Sequence, residues 1–290
     1  QDEMSRLIQS LPGLRRHFLL SATEAEEIPR FVHMGRVEKI DYRMDEEQVP
    51  ERVHIYKVES PVKDKLESLG RLLRSLGETS TIVFLNYRDS VERTNNYLVE
   101  QGFSTSFFHG GLEQKEREAS LYRFSNGSAN ILVSTDLASR GLDIPDIDNI
   151  IHYHIPESED GYIHRVGRTA RWEAQGRAFF LLGPEEHIPE YVDAAVEDYE
   201  IPAVEELPAP AKPKMATLYI GKGKKDKISK GDILGFLCKK GGLNSSEIGK
   251  IDVNDRYAYA AIARPKLKSV LNNVKGEKIK GVKTIVEEVR

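Results

Sequence analysis

The chain has 290 residues, of which 39% are hydrophobic and 30% charged, a composition typical of a globular protein long enough for two separate cores. A single cysteine, Cys238, excludes an internal disulfide framework and a multi-cysteine metal site. No run approaches the roughly 18 apolar residues of a membrane span, and no charged-then-apolar leader is recognisable, so we expect a cytoplasmic protein.

The net charge of −4 is unevenly distributed along the chain. Residues 214–290 hold 18 lysines and arginines against 8 acidic residues, a balance of +10, whereas residues 1–213 carry −14. Such asymmetry is typical of a globular body with an appended polyanion-binding domain, and nucleic acid is the commonest polyanion. A lysine-rich solubilising surface is the alternative.

The first 45 residues contain a short apolar strand, residues 17–20, that ends at Ser21-Ala22-Thr23 just before an acidic helix start. A strand, a hydroxyl-rich turn and a helix suit an α/β sheet, whose active edge lies at the carboxyl ends of the strands.

Strands and helices alternate from residue 53 to about residue 199. Continuous apolar runs such as Ile82-Val83-Phe84-Leu85 fit strands that are buried on both faces, and leucines recur at helical spacing over residues 62–76. The pattern predicts an α/β fold with a parallel sheet and helices on both faces. A last helix is predicted over residues 184–198.

Closely spaced prolines mark a stiff linker at residues 205–213. Residues 214–290 then follow the order βαββαβ, which predicts a compact α+β domain. The predicted divisions of the chain are therefore residues 1–45, 46–204, the linker, and 214–290.

A dense basic segment, His164 to Arg171 (HRVGRTAR), follows the apolar run of residues 149–155. If the segment begins as a helix, His164 and Arg168 lie one turn apart, as do Arg168 and Arg171, so one face presents an imidazole and two guanidinium groups. Guanidinium groups bind phosphate oxygens in bidentate geometry, which makes the pair a candidate clamp for a transferring phosphoryl group. A solvated basic turn is the alternative.

Three segments together resemble signature motifs of the DEAD-box RNA helicases of superfamily 2, in the family's order. They are Ser21-Ala22-Thr23, Thr135 to Asp143 (TDLASRGLD) and His164 to Arg171, with His109 to Arg117 (HGGLEQKER) between the first two. The resemblance covers residues 1 to about 205. It implies a RecA-like fold, in which residues 1–45 end a first RecA-like domain and residues 46–204 form the second.

The resemblance implies roles in ATP hydrolysis. Arg168 and Arg171 resemble the arginine fingers that stabilise charge on the γ-phosphate of ATP. His164 and the hydroxyls of Ser21 and Thr23 would link these arginines to the family's acidic box, the D-E-x-D motif. Asp143 resembles the carboxylate that accepts from the ATP ribose, whereas Asp136 is expected to cap a turn. The expected catalytic residues are Arg168, Arg171, His164, Ser21 and Thr23. The expected nucleotide-binding residues are Gly141, Asp143, Arg168 and Arg171. Helix capping is the alternative role of the two hydroxyls.

The resemblance also implies contacts with the RNA backbone. Gly110 permits close approach, Gln114 and Arg117 lie one helical turn apart, and the Thr135 hydroxyl is expected to bind a phosphate.

The sequence contains neither G-x-x-x-x-G-K-[ST] nor D-E-x-D. The family's phosphate loop and Mg²⁺-binding carboxylates are therefore expected outside this chain, so that ATP and Mg²⁺ are bound mainly by the absent first domain. We predict that the isolated chain hydrolyses no ATP, and that Arg168 and Arg171 are exposed toward a partner surface.

The basic tail resembles the RRM-like domain of the DbpA group of bacterial DEAD-box proteins, which are directed to large-subunit ribosomal RNA. The segments 218–221 and 256–259 resemble the two strand motifs of an RRM. The expected RNA contacts of the tail are base stacking by Tyr219, Tyr257 and Tyr259 and phosphate binding by Lys222 and Lys224. Alternatively, the tyrosines face the core and only the lysines contact RNA.

These features predict an ATP-dependent RNA helicase that remodels structured RNA, with 23S-type ribosomal RNA as partner, through closure of two RecA-like domains. One alternative is a non-catalytic RNA-binding or annealing protein on the same scaffold, and another is a DNA helicase.

Overall fold

The structure is a computed structural model that describes residues 6, 10, 11, 52–139, 147–169 and 175–289. The chain divides into two compact units, Gln1–Gln48 and Val49–Arg290, and all elements named below belong to the second unit. Within the described residues, no helix has the length and apolar character needed to cross a bilayer.

Seven described strands form one parallel sheet in the spatial order β3-β4-β2-β5-β6-β1-β7. The strands are β1 (Val53–Glu59), β2 (Thr81–Phe84), β3 (Thr105–Phe108), β4 (Ile131–Ser134), β5 (Asn149–His152), β6 (Gly176–Leu182) and β7 (Val196–Asp198). The accompanying α-helices are α1 (Leu66–Leu76), α2 (Arg88–Glu100), α3 (Gln114–Ser125) and α4 (Glu159–Val166).

The sheet has a hydrophobic core on each face. Along β2, Ile82 and Phe84 belong to one core, and Val83 belongs to the other, because successive side chains of a strand point to opposite faces. Helices α1 and α2 supply Leu69 and Leu98 to the second core, while α3 and α4 pack on the first. This arrangement confirms the predicted α/β class with helices on both faces.

The predicted helix over residues 184–198 is wrong. Residues 196–198 form the edge strand β7, which pairs with β1, and residues 184–195 contain two short turns and otherwise irregular structure. Pro189 would lie inside the predicted helix, where proline removes a backbone donor and clashes with the preceding turn, whereas Pro184 at the first position would be tolerated. Side chains hold the segment instead: Glu186 accepts from the backbone N–H of Gly183 at 2.7 Å, and the Tyr191 hydroxyl donates to the Pro156 carbonyl at 2.5 Å.

The tail forms a four-stranded antiparallel sheet in the order β13-β8-β10-β9, with helices on one face. The predicted order βαββαβ is present, with a small hairpin added before the last strand. The tail elements are β8 (Met215–Ile220), α5 (Lys230–Lys239), β9 (Ile248–Val253), β10 (Ala258–Ala263), α6 (Leu267–Asn273), the hairpin β11 (Lys278–Ile279) and β12 (Val282–Lys283), and β13 (Val286–Glu288).

The proline-rich linker lies along the parallel-sheet domain. Arg74, in the last turn of α1, donates to the carbonyls of Leu207 and Pro208, both at 2.7 Å. The Lys212 ammonium donates to the Gly102 carbonyl at 2.5 Å. The path of the linker is therefore fixed by side-chain contacts as well as by its prolines.

Candidate active site and RNA-binding edge

The loops that follow β2, β3 and β4 meet at the carboxyl edge of the parallel sheet. A methyl group built on Gly110, after β3, would lie 3.3 Å from Arg88 Nη2, after β2, and 4.0 Å from Leu137 Cδ2, after β4. The structure thus brings the predicted RNA-backbone loop next to the loop that begins with Thr135. Arg88 is exposed beside Gly110 and is a candidate phosphate ligand that the sequence analysis did not single out.

Arg165, the second residue of the basic segment, is fully buried at this edge. Its guanidinium donates to both carboxylate oxygens of Asp136, at 2.5 and 3.1 Å, to the His154 carbonyl at 2.8 Å, and to Asn86 Oδ1 at 2.8 Å. It also lies over the Phe84 ring, 5.2 Å from the centroid. One guanidinium therefore joins the loops after β2, β4 and β5 to helix α4.

Asp136 begins a short 3₁₀ helix, Asp136–Ser139, and carries the carboxylate of this ion pair. Asp136 therefore lies in a turn, as predicted. It also forms an ion pair with the basic segment, which was not predicted. Helical spacing could have identified the partner, because Arg165 lies one turn after the buried Tyr162 and next to the buried Val166. That periodicity places Arg165 on the buried face of α4.

His154 and Asn86 complete the support of this guanidinium. The Asn86 backbone N–H donates to His154 Nδ1 at 3.1 Å, and the Asn86 side-chain amide donates to the Ile155 carbonyl at 3.1 Å. Burial and the nearby Lys65 ammonium lower the pKa of His154 to about 4. A neutral imidazole, with Nδ1 as an acceptor, is consistent with both observations.

Helix α3 begins at Gln114, where Glu116 accepts from the backbone N–H of Glu113 at 2.9 Å. Gln114 is exposed and donates to Glu118 at 2.8 Å, while Arg117 is half-buried in the same turn. The predicted helical spacing of Gln114 and Arg117 is therefore present at the carboxyl edge, directly after the loop that contains Gly110.

The basic segment is helical only as far as Val166. His164 lies in the helix and donates from Nδ1 to the Asp160 carbonyl at 2.8 Å. Arg168 lies in the turn beyond the helix, where its N–H donates to the Arg165 carbonyl at 3.2 Å. The expectation that Arg168 is exposed needs correction, because it is half-buried.

Thr169 fixes the position of the turn that carries Arg168. Its side chain is buried and its hydroxyl donates to the Ile147 carbonyl, and the two residues form a parallel bridge. Five predicted site residues lie outside the described residues, and their roles stay predictions: Ser21, Thr23, Gly141, Asp143 and Arg171.

The tail tyrosines lie on the face of their sheet that is opposite to the tail helices. The tail core takes Leu218 and Ile220 from β8 and Ala258 and Ala260 from β10, so the alternate residues point to the other face. Tyr219 pairs with Tyr259 across the two strands, and its ring stacks with that of Tyr257 at 5.8 Å. The alternative that the tyrosines face the tail's own core is therefore wrong.

These rings contact helix α3 of the parallel-sheet domain. Tyr259 is only 2% exposed, and Tyr219 and Tyr257 are half-buried. Lys222 is half-buried and bonded to Asp226 at 3.1 Å, whereas Lys224 is exposed. In this arrangement the lysine loop, residues 222–227, is accessible to a polyanion, and the Tyr259 ring is not.

Comparisons with known proteins match both domains. The family described as "Helicase conserved C-terminal domain" matches residues 64–173, and the family described as "DbpA RNA binding domain" matches residues 217–288. The ATP-dependent RNA helicase DbpA of Escherichia coli (strain K12) is 34% identical over 289 residues, which cover 97% of this chain and 62% of that protein. The ATP-dependent RNA helicase DbpA of Bacillus subtilis (strain 168) is 28% identical over 309 residues, covering 97% of this chain and 64% of that protein.

The chain thus spans 62% to 64% of the length of these curated relatives. Among solved structures, Saccharomyces cerevisiae Dbp5 bound to RNA and ADP BeF3 superposes with a TM-score of 0.57 at 22% identity, covering 68% of this chain and 55% of that chain. This likeness shows the RecA-like fold. The two matched domains, in this order along one chain, and the 34% identity make the chain similar to the DbpA-like DEAD-box proteins.

Proposed function

We propose that this chain acts in an ATP-dependent RNA helicase that unwinds or remodels structured RNA by closure of two RecA-like domains. The observation that carries the proposal is the ion pair between Asp136 and the buried Arg165. It joins Thr135, the residue proposed to bind an RNA phosphate, to the turn that holds Arg168, the proposed arginine finger. In the proposal, this buried contact transmits a displacement of one residue to the other when the two domains close.

ATP would be held between this chain and a domain that carries the phosphate loop. In the proposal Arg168 and Arg171 face the γ-phosphate, Gly141 and Asp143 contact the nucleotide, and His164, Ser21 and Thr23 couple the fingers to the acidic box. Guanidinium groups suit the charge of phosphates, and a carboxylate can accept a hydrogen bond from a ribose hydroxyl. When bound, ATP supplies the phosphoryl group whose hydrolysis allows the two domains to separate.

Mg²⁺ belongs to the same proposal, with its ligands supplied by the acidic box. Among the described residues, no group of three or more His, Cys, Asp or Glu is arranged to hold a metal ion. The D-E-x-D motif is also absent from the sequence. In the proposal the residues of this chain stabilise the phosphates.

RNA would bind along the carboxyl edge, where Gly110, Gln114, Arg117 and Thr135 contact the backbone. The exposed Arg88 next to Gly110 supports this placement, because a guanidinium and a glycine without a side chain together accommodate a phosphate.

The tail would direct the protein to 23S-type ribosomal RNA during assembly of the large subunit. The match to the DbpA RNA-binding domain and the +10 charge of residues 214–290 support this assignment. A cytoplasmic location belongs to the same proposal.

The finger role is tested in the complete protein, including its phosphate loop and acidic box. Arg168→Ala should lower RNA-stimulated ATP hydrolysis by on the order of 10³-fold, because an arginine finger stabilises charge only in the transition state. Binding of RNA should be little changed. Arg93→Ala is the matched control, since Arg93 is an exposed arginine of α2 paired with Asp64. Near-normal turnover of the Arg168 variant would remove the finger assignment and favour the non-catalytic RNA-binding alternative.

The RNA target is tested by titrating the chain with ribosomal RNA hairpins, unrelated RNA and DNA strands at several salt concentrations. Preference for one ribosomal hairpin is the expected result. Equal affinity for all the strands, with the same salt dependence, would show that the tail contributes charge without selection.

A further inference from the structure

The outer face of the tail sheet is covered by helix α3 of the same chain. The Lys115 ammonium lies 4.9 Å from the Tyr219 ring centroid and 5.8 Å from that of Tyr257. The Tyr259 ring lies 5.0 Å from that of Tyr122. A lysine and an aromatic ring therefore occupy the ring faces on which bases would stack.

Hydrogen bonds accompany these ring contacts at the start and middle of the helix. The Tyr257 hydroxyl donates to Glu118, and the Tyr122 hydroxyl donates to the Lys250 carbonyl. Burial and the Glu118 carboxylate raise the pKa of Tyr257, so its hydroxyl remains a protonated donor. The hydroxyls of Tyr257 and Tyr122 are therefore satisfied in the docked arrangement.

Further polar contacts lie beyond the carboxyl end of α3. The Asn126 amide donates to the Thr217 hydroxyl, which in turn donates to Ser128 Oγ, both at 2.9 Å. Arg264 donates to the Ser128 carbonyl at 3.3 Å. The interface thus follows α3 from its first turn to the loop after its end, and Thr217 is 1% exposed within it.

We propose that the outer face of the tail sheet is a docking surface for helix α3, and that docking excludes base stacking by Tyr219, Tyr257 and Tyr259. The docking itself is independent of the proposed function, whereas its consequence for RNA rests on that function. A base cannot reach the ring faces while Lys115 and Tyr122 cover them. The RNA contacts of the docked tail are therefore made by its lysine-rich loop, residues 222–227.

The position of this loop supports that consequence. Gly223 packs so closely on the turn at residues 254–257 that a methyl group there would lie 2.2 Å from the Asn254 carbonyl oxygen. The loop therefore lies beside Tyr257, at the end of the tail sheet where Lys115 also lies. Because Gln114 precedes Lys115 in the helix, docking places the lysine loop next to the proposed RNA-backbone residues of α3.

The docked state is tested first by a disulfide bridge. Asn126→Cys and Thr217→Cys, in a Cys238→Ser background, place two thiols where the side chains are now hydrogen-bonded. Rapid formation of the bridge within one chain is the expected result. Failure to form it under oxidation, in a variant whose circular dichroism is normal, would overturn the docking.

Tyrosine nitration tests docking without a new bridge. Tyr259 should be protected in the unmodified chain, and Lys115→Glu should expose it by placing a carboxylate over the rings and beside Glu118. Lys63→Glu is the matched control, since Lys63 is an exposed lysine of the parallel-sheet domain outside the interface. Equal nitration of Tyr259 in all three proteins would contradict the docked arrangement.

The bridged protein then decides the consequence for RNA. Its affinity for a ribosomal RNA hairpin should equal that of the reduced protein, and Lys222→Glu with Lys224→Glu should weaken binding in both states. Binding that is lost on oxidation and restored by reductant would show that the tyrosines stack bases, which overturns the exclusion. If neither state binds any RNA, the proposed function fails, while the bridge and the nitration still decide the docking.

Discussion

Replacing Arg165 by lysine tests how the two helicase motifs are joined. The substitution keeps the positive charge but replaces a planar five-donor guanidinium by a single ammonium. Lysine cannot reach the Asp136 carboxylate, the His154 carbonyl and Asn86 together, so we expect at least two of the four hydrogen bonds to be lost. At about 1 kcal/mol for each neutral partner, and about 0.5–1 kcal/mol for the contact with Phe84, the loss is about 3 kcal/mol.

The assay is urea unfolding followed by circular dichroism, with Arg93→Lys as the control. The Arg93 side chain is 60% exposed and paired with Asp64, so the control should cost less than about 1 kcal/mol. A double-mutant cycle with Asp136→Asn should show coupling, because the two side chains share one ion pair. If Arg165→Lys unfolds at the same urea concentration as the unmodified chain, the buried guanidinium does not hold the motifs together.

Three further predictions concern the same sheet. Burial lowers the pKa of His154 from 6.5 to about 4, so between these values the unfolded chain binds a proton that the folded chain does not. The free energy of unfolding should therefore fall as the pH drops through this window. His154→Asn should make this fall smaller, as measured by urea unfolding at a pH above the window and at a pH within it. Gly176→Ala should lower the free energy of unfolding by about 1–3 kcal/mol in thermal unfolding, because the new methyl group would lie 2.1 Å from Thr169 Oγ1. Gly235→Ala is the control and should not destabilise the protein, because its methyl group would meet nothing within 4 Å. Lys65→Met should cost about 1–3 kcal/mol in urea, because the buried ammonium donates to two main-chain carbonyls, and an unchanged midpoint would contradict that role.

Much of the fold follows from sequence periodicity, because buried parallel strands are continuous apolar runs and the helices carry leucines at helical spacing. Two elements did not follow from it. The segment 184–198 has apolar residues at near-helical spacing, but its prolines and side-chain contacts favour turns and an edge strand. The hairpin β11–β12 was not predicted because its strands have only two residues each, and half of those residues are lysines.

The site was predictable to the extent that strand ends bring motifs together. Thr135, Gly110 and Gln114 lie at the same edge because parallel strands end there. The local density of cations gave no indication of which cation is buried: Arg165 is fully buried, while Arg168 lies in the turn beyond the helix. Helical spacing places Arg165 on the buried face of α4, but its ion-pair partner Asp136 lies 29 residues earlier in the chain, so the basic segment by itself does not reveal the pair.

The observed contacts connect the tail to the proposed ATP side of the sheet. Helix α3 holds the tail through Lys115 and Glu118, and the loop before it places Gly110 beside Leu137, the neighbour of Asp136. Asp136 then reaches helix α4 through Arg165. Contacts between two sites couple them energetically only if an element between the sites can adopt two arrangements. The tail is that element, because RNA could displace it from helix α3. Because the lysine loop and the start of α3 lie together, RNA that binds both would stabilise docking, whereas RNA that stacks on the tyrosines would oppose it. The sign of the change that RNA causes in the rate of bridge formation by the Asn126→Cys, Thr217→Cys variant therefore distinguishes the two modes.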